Sequence, residues 1–200
     1  MLLRPPEAIF RRAAFCFQHI LSASEEEPLS FHLRQFPPTL KAMRAWVTDC
    51  PNFLSARVIP LKFQYHSAMM GSLGIGCNIL KFTNEETELS KDMIRQFKEL
   101  RPIIQEGDFY RLDNPSANEY FLYEYLKGEQ GLIFAFLPQS KVGHRGTTVR
   151  LRGLEEEALY TLHTSKGDIT KRGSYLMYHG LELKLSGDYA SVIIPFEAKQ

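Results

Sequence analysis

The sequence lacks a surplus of charge of either sign. Its 200 residues contain 24 lysines and arginines against 23 aspartates and glutamates, for a formal net charge of +1. Proteins that bind nucleic acid usually carry a clear basic excess on one face. The charge balance therefore predicts that this protein has no nucleic-acid partner.

Cysteine is scarce, and its three copies, Cys16, Cys50 and Cys77, lie far apart in the chain. Disulfide frameworks and structural zinc sites use closely spaced pairs, so neither is expected. The six histidines form no His-x-x-x-His pair. We therefore expect no metal and no cofactor, and the odd number of thiols favours a reducing compartment such as the cytoplasm.

Long apolar segments are also absent. No run approaches the roughly 20 residues that span a bilayer, so no membrane partner is expected. Residues 1–21 are amphipathic and carry arginines, as transit peptides do, but Glu7 and the shortage of serine favour an ordinary helix after Pro5 and Pro6. Residues 22–38 are rich in charge and proline, which predicts a connection.

The stretch AMMGSLGIGCNI contains three glycines but lacks the order of a phosphate-binding loop. The dinucleotide fingerprint is Gly-x-Gly-x-x-Gly, whereas Gly71, Gly74 and Gly76 have the reverse spacing and no Gly-Lys-Ser or Gly-Lys-Thr follows. The pattern instead predicts a short buried strand that approaches a neighbour closely. Cys77, just after it, is either an activated nucleophile or, more commonly, a small buried side chain.

Strand and helix signals alternate in the first half of the chain. AWVT predicts a strand, PLKFQYHSAMM a helix and the glycine-rich stretch a second strand. The next helix begins at a capping box formed by Thr83 and Glu86, and Pro102 is expected to end it. This order is typical of the end of a parallel α/β arrangement.

From residue 105 onward the sequence consists of short β-rich runs separated by turn residues. This pattern predicts an antiparallel β-sandwich, with a domain boundary near residues 100–107. The runs are YFLYEYL, GLIFAFL, TTVRLRGL, EALYTLHT, YLMYHGLELKL and ASVIIPFE.

Two residues of the first predicted strand are candidates for function. Asp49 follows the strand at the position where barrel enzymes place functional side chains, although aspartate is also a common turn former. Trp46, the only tryptophan, either stacks on a sugar face or fills the core. The acidic runs at residues 25–27 and 155–157 are typical of solvated connections.

Four segments together resemble one known family. AWVTDCPN, RVIPLKFQYHSAMMGSLGIGCNILKFTNEE, LRPIIQEGDFYRL and GSYLMYHGLELKL are similar to the C-terminal part of glycoside hydrolase family 36, the α-galactosidases. The resemblance starts near Phe36 and runs to the end. Residues 1–30 match nothing recognisable, and residues 1–35 are left as an unassigned N-terminal helix and connection. It implies an α/β plus β fold in which residues 36–104 form the last strands and helices of a (β/α)8 TIM barrel and residues 105–200 a C-terminal antiparallel β-sandwich.

The same resemblance implies retaining hydrolysis of terminal α-galactosides such as melibiose and raffinose by two aspartates. Family members carry the nucleophile in an upstream Lys-x-Asp strand and the acid/base in a Ser-Asp-Asn-Thr-Asp-like turn. Neither motif is present, since the only Lys-x-Asp, residues 166–168, falls in a predicted hairpin. No catalytic residue is therefore assigned, and the chain alone is expected to be inactive.

The implied substrate-binding residues lie at the mouth of the barrel: Trp46, Asp49, Gly74 and Gly76. The expected partners are α-galactoside sugars, bound by the complete barrel, and either a missing N-terminal barrel half or further copies of the chain. The alternative hypothesis is a non-catalytic sugar-associated or interaction module derived from such an enzyme.

Overall fold

The computed structural model describes residues 44–52, 56–112, 120–141, 143 and 146–199. The predicted N-terminal helix and the connection that follows it lie outside this part of the chain. The chain divides into two compact units, with the boundary between Phe97 and Lys98.

The first unit contains two parallel strands joined through a helix. Strand β1 (Arg44–Val47) pairs in parallel with β2 (Ser72–Ile75), and helix α1 (Leu61–Met69) lies between them in the chain and packs on both. Parallel neighbours need such a crossover, because a tight turn cannot join them. The predicted order of strand, helix and strand is confirmed.

Strand β2 is less buried than the sequence predicts. Its first three residues are half-buried, and Ile75 is 37% exposed. Among the described residues, β2 pairs with β1 alone, so its other edge has no strand beside it there. By contrast, α1 is buried on every side from Phe63 to Met69.

Helix α2 (Asn84–Glu106) starts as predicted but ends later. The Glu86 N–H donates to Thr83 Oγ1 at 3.2 Å, and the Thr83 N–H donates to Glu86 Oε2 at 2.9 Å, which completes the capping box. Pro102 does not end the helix, because it lies in an exposed position and burial of Ile104, 1% exposed, holds the last turn in place. None of the described helices is long and apolar enough to cross a bilayer.

The second unit is built mainly from antiparallel strands. Six of them form one sheet in the order β3-β4-β5-β10-β7-β8, and two more form a separate pair, β6-β9. The strands are β3 (Asp108–Arg111), β4 (Phe121–Lys127), β5 (Gln130–Leu137), β6 (Thr147–Val149), β7 (Leu159–Thr164), β8 (Gly167–Arg172), β9 (Leu181–Leu183) and β10 (Ala190–Ala198).

Side chains alternate between two different faces along the central strands. On one face, Leu122 of β4 and Ile133 of β5 join a largely aliphatic core that also includes Val149 of β6. On the other, Tyr123 and Phe136 contact each other edge to face, with ring centroids 6.4 Å apart. Both faces are buried, so this sheet forms the centre of the second unit.

The sequence predicts that the run YLMYHGLELKL is a strand, but the structure shows that it is not a single strand. Its first part belongs to a short helix, α3 (Gly173–Tyr178), and only its second part forms β9. Leu176 explains the helix, since it is fully buried and its carbonyl accepts the Leu151 N–H at 3.0 Å. This tertiary anchor overrides the β propensity of the neighbouring tyrosines.

Candidate functional site

Three of the four predicted substrate-binding residues meet at the carboxyl ends of β1 and β2. Trp46 stands opposite Gly74 in the parallel register, and Gly76 follows directly after β2. A Cβ atom on Gly74 would lie 2.8 Å from Trp46 Cε3, and one on Gly76 would lie 3.1 Å from the same atom. The glycines are needed because the indole ring lies over their backbone.

The indole ring also keeps a surface open to solvent. Trp46 is 40% exposed, whereas its neighbours Ala45 and Val47 are 4% and 0% exposed. This alternation is expected of a strand with one face buried. The glycines support one part of the ring, and the remainder is available for contact with a ligand.

Asp49, the fourth predicted residue, connects the ends of the two strands. Its Oδ1 atom accepts the N–H of Asn78 at 3.0 Å, and Asn78 Oδ1 in turn accepts the N–H of Leu80 at 3.1 Å. The Gly76 N–H donates to the Val47 carbonyl at 2.8 Å. Asp49 therefore has a structural role and is fixed at the same end of the strands as Trp46.

Gln64 is a positioning residue that the sequence analysis missed. It lies in α1, where its Oε1 atom accepts the Thr48 N–H and its Nε2 atom donates to the Ile59 carbonyl, each at 3.0 Å. These bonds hold the backbone just before Asp49. The available signal was a single amide side chain in a helix whose residues from Phe63 to Met69 are buried.

Two ionisable groups of the first unit, Cys77 and His66, have pKa values shifted toward their neutral forms. Burial, together with the charges of Asp49 and Glu86, raises the pKa of the Cys77 thiol, which disfavours the thiolate that a nucleophile requires. Burial, with a smaller effect of Lys62, lowers the pKa of His66 to about 3. No group of three or more potential metal-binding side chains occurs in the described ranges.

A second missed residue is Glu124, a buried acid in β4. It is 0% exposed, and its Oε2 atom accepts the Arg152 N–H at 2.8 Å, while Oε1 has no hydrogen-bond partner among the described residues. Burial raises its pKa to about 8, against smaller opposing effects of Arg152. The signal was a lone acid within the run YFLYEYL, on the same face as Leu122 and Leu126.

The only Lys-x-Asp motif lies in the second unit, as predicted. Lys166 belongs to the turn between β7 and β8, and Asp168 lies in β8. Asp168 Oδ1 is 3.0 Å from His163 Nδ1 on the neighbouring strand. The motif is thus part of an antiparallel hairpin and does not follow a parallel strand.

Because the chain has a single tryptophan, its emission reports directly on the site. We expect Gly74→Ala to displace the ring toward solvent and to shift the emission to longer wavelength. The cost in unfolding free energy should stay within about 1 kcal/mol, since an exposed ring can move. Gly76→Ala should give a smaller shift and Gly128→Ala none, and unchanged emission in Gly74→Ala would contradict the packing.

Two family models match the chain. The model described as Melibiase matches residues 34–107, and the model of the glycosyl hydrolase family 36 C-terminal domain matches residues 123–196. The first match includes β1, α1, β2 and all of α2. The second covers most of the strands of the second unit.

The curated relatives are much longer than this chain. Alpha-galactosidase C of Emericella nidulans is 32% identical over 164 residues, which are 81% of this chain and 21% of the relative. Alpha-galactosidase AgaA of Geobacillus stearothermophilus is 29% identical over 164 residues, or 80% of this chain and 22% of that protein. The chain therefore spans about a fifth of the length of these relatives.

Solved structures match over the same part. A family 36 α-galactosidase AgaA from Geobacillus stearothermophilus in complex with raffinose superposes with a TM-score of 0.74 at 28% identity, covering 80% of this chain and 22% of that chain. The galactosidase domain of the α-galactosidase-sucrose kinase AgaSK gives a TM-score of 0.74 at 25% identity, with the same coverage. The described fold is thus that of one region within larger α-galactosidases.

Proposed function

The chain belongs to glycoside hydrolase family 36, and from that premise we propose that it supplies the C-terminal part of an α-galactosidase. The proposed reaction is retaining hydrolysis of terminal α-galactosides such as melibiose and raffinose. In this proposal β1 and β2 are the last strands of a (β/α)8 barrel, and the second unit is its C-terminal β-sandwich. The parallel pair with its intervening helix and the antiparallel sheets that follow support this assignment.

The observation that carries the proposal is the packing of Trp46 on Gly74 at the carboxyl ends of β1 and β2. Active sites of (β/α)8 enzymes lie at that end of the strands. An exposed indole face fits the C–H face of a pyranose ring, and the glycines leave space beside it. Asp49, fixed at the same end, is suited to accept a hydrogen bond from a sugar hydroxyl.

Hydrolysis itself requires more than this site offers. A retaining glycosidase needs two carboxyl groups about 5–5.5 Å apart, one to attack the anomeric carbon and one to protonate the leaving oxygen. Among the described residues, the carboxylate of Asp49 lies just beyond β1. Glu86, which like Asp49 is close to Cys77, is engaged in the capping box. We propose that the nucleophile and the acid/base come from barrel strands outside this chain.

We therefore expect the purified chain to show no turnover of a nitrophenyl α-galactoside. The test adds the barrel half of a relative, the Geobacillus AgaA truncated before the matching region, and measures hydrolysis of the mixture. Activity should appear only on mixing, and Trp46→Ala should lower it because the ring helps to hold the sugar. Turnover by the chain alone that Asp49→Asn abolishes would contradict the proposal.

The alternative is a non-catalytic sugar-associated or interaction module. It is favoured by the shortage of carboxylates at the strand ends in the described part of the chain. Under this alternative, mixing restores no hydrolysis, yet raffinose still changes the emission of Trp46. The two functions are therefore separated by measuring hydrolysis and fluorescence on the same mixture.

A further inference from the structure

A groove of about 510 Å³ lies on the surface of the second unit, beside α3. All of its lining residues belong to that unit, whereas Trp46 and Asp49 belong to the first. Pockets with aromatic walls and a few polar groups are typical ligand sites. The residues that matter here are Leu159, Lys171, Arg172, Tyr175, Tyr178 and His179.

The geometry of α3 turns its aromatic rings toward the groove. Tyr175, Tyr178 and His179 are three and four residues apart, so they share one helix face. The fully buried Leu176, on a different side of the helix, anchors α3 in the core. Tyr175 and Tyr178 remain 43% and 63% exposed, and the apolar Leu159 beside them is 42% exposed. Exposed apolar side chains gathered in one groove mark an interaction site more often than scattered ones do.

Contacts around the groove hold these rings in place. Lys171 Nζ lies 4.9 Å from the centre of the Tyr175 ring, and the His179 ring stacks on Tyr175 at 5.3 Å. The Tyr178 hydroxyl donates to Glu156 Oε1 at 2.7 Å. Rings that are already fixed lose little conformational entropy when a ligand binds, so the groove is preorganised for binding.

The charges around the groove are balanced. Lys171 and Arg172 are offset by Glu156 and Glu157, and Arg172 Nη1 lies 2.7 Å from Glu157 Oε2. A polyanion would meet both carboxylates, and a cation would meet both basic groups. The groove therefore suits an uncharged ligand that can donate and accept hydrogen bonds.

We propose that this groove is a second, non-catalytic binding site for a neutral saccharide chain. A pyranose ring has an apolar C–H face that fits the exposed ring of Tyr178, and its hydroxyls can bond to the charged side chains at the rim. The site needs no residue of the first unit. It operates whether or not the barrel end takes part in hydrolysis.

The test is electrophoresis of the full-length chain through native gels that contain a galactomannan, a glucomannan or a mixed-linkage β-glucan. We expect at least one of these neutral polymers to retard the wild-type chain relative to a polymer-free gel. Tyr178→Ala should weaken the retardation at least about fivefold, as stacked rings dominate such contacts. Tyr178→Phe keeps the ring and should retain most of the binding.

Leu80→Ala is the matched control, because it removes a side chain of the first unit that is 90% exposed and lies in neither proposed site. Trp46→Ala is measured beside it to detect binding at the barrel end. Retardation that survives Trp46→Ala but not Tyr178→Ala supports the groove. Loss of retardation with Trp46→Ala but not with Tyr178→Ala would contradict binding at the groove and leave the proposed function intact. Retardation by dextran sulfate but by no neutral polymer would also contradict binding of a neutral saccharide at the groove. Melting curves check that each variant is folded, and His179→Ala replaces Tyr178→Ala if the latter is not.

Discussion

Between about pH 6.5 and about pH 9, the free energy of unfolding of the second unit should fall by about 2 kcal/mol, and Glu124→Gln should abolish this dependence. The cause is the buried carboxyl group of Glu124 in β4. Burial raises its pKa from 4.5 to about 8. The folded protein therefore keeps a proton on this group at neutral pH.

The direction of the effect follows from proton binding in the two states. Between pH 4.5 and about 8, the unfolded chain releases the Glu124 proton and the folded chain retains it. Stability is greatest below the unfolded pKa and is lost as the pH rises through the folded pKa. His66 acts in the opposite direction, because its folded pKa is lowered to about 3 and its contribution is lost as the pH falls below 6.5.

The measurement is urea unfolding followed by far-UV circular dichroism at several pH values above 6.5, where the two effects do not overlap. Glu129→Gln is the matched control, since Glu129 is an exposed acid in the turn after β4. It should leave the slope unchanged. A Glu124→Gln variant that keeps the wild-type slope would show that another group is responsible.

The second large effect is expected from Gly131→Ala, which should cost about 2 to 3 kcal/mol of unfolding free energy. Gly131 of β5 stands opposite Phe196 of β10, and a Cβ atom there would overlap the phenyl ring. Phe196 is 2% exposed and contacts Tyr160 edge to face, with ring centroids 6.1 Å apart. A ring enclosed in this way cannot move aside.

A double-mutant cycle separates this overlap from a general cost of replacing glycine. Gly128→Ala, in the preceding turn, introduces a Cβ with nothing within 4 Å, so only its φ of +58° opposes the change. It should cost about 1 kcal/mol. In a Phe196→Leu background, Gly131→Ala should lose most of its effect, and simple additivity would contradict the overlap.

Local sequence signals predicted some elements well. The capping box at Thr83 and Glu86 needs only neighbouring residues, and it forms as expected. The elements decided by tertiary packing were predicted less well. Pro102 is accommodated because Ile104 is buried, and the YLMY part of the last long run is helical because Leu176 enters the core.

For the candidate site, too, the sequence predicts some features and not those that depend on tertiary packing. The family resemblance places Trp46 and Gly74 at the ends of neighbouring strands, but it does not predict that the indole ring packs on the glycine. Gln64 and Glu124 were missed, since their importance lies in burial and in partners distant in sequence. The lone acid in YFLYEYL and the single amide in α1 are weak signals that reveal neither the burial nor the partner.

Helix α2 has a consequence for dividing the protein into pieces. The boundary between the two units falls inside this helix, so a fragment that starts at Lys98 keeps only nine helical residues and loses the capping box. Helices shorter than about 12 residues are marginal by themselves. A fragment intended to contain the second unit should therefore begin at Thr83, so that it keeps the whole of α2 and its capping box.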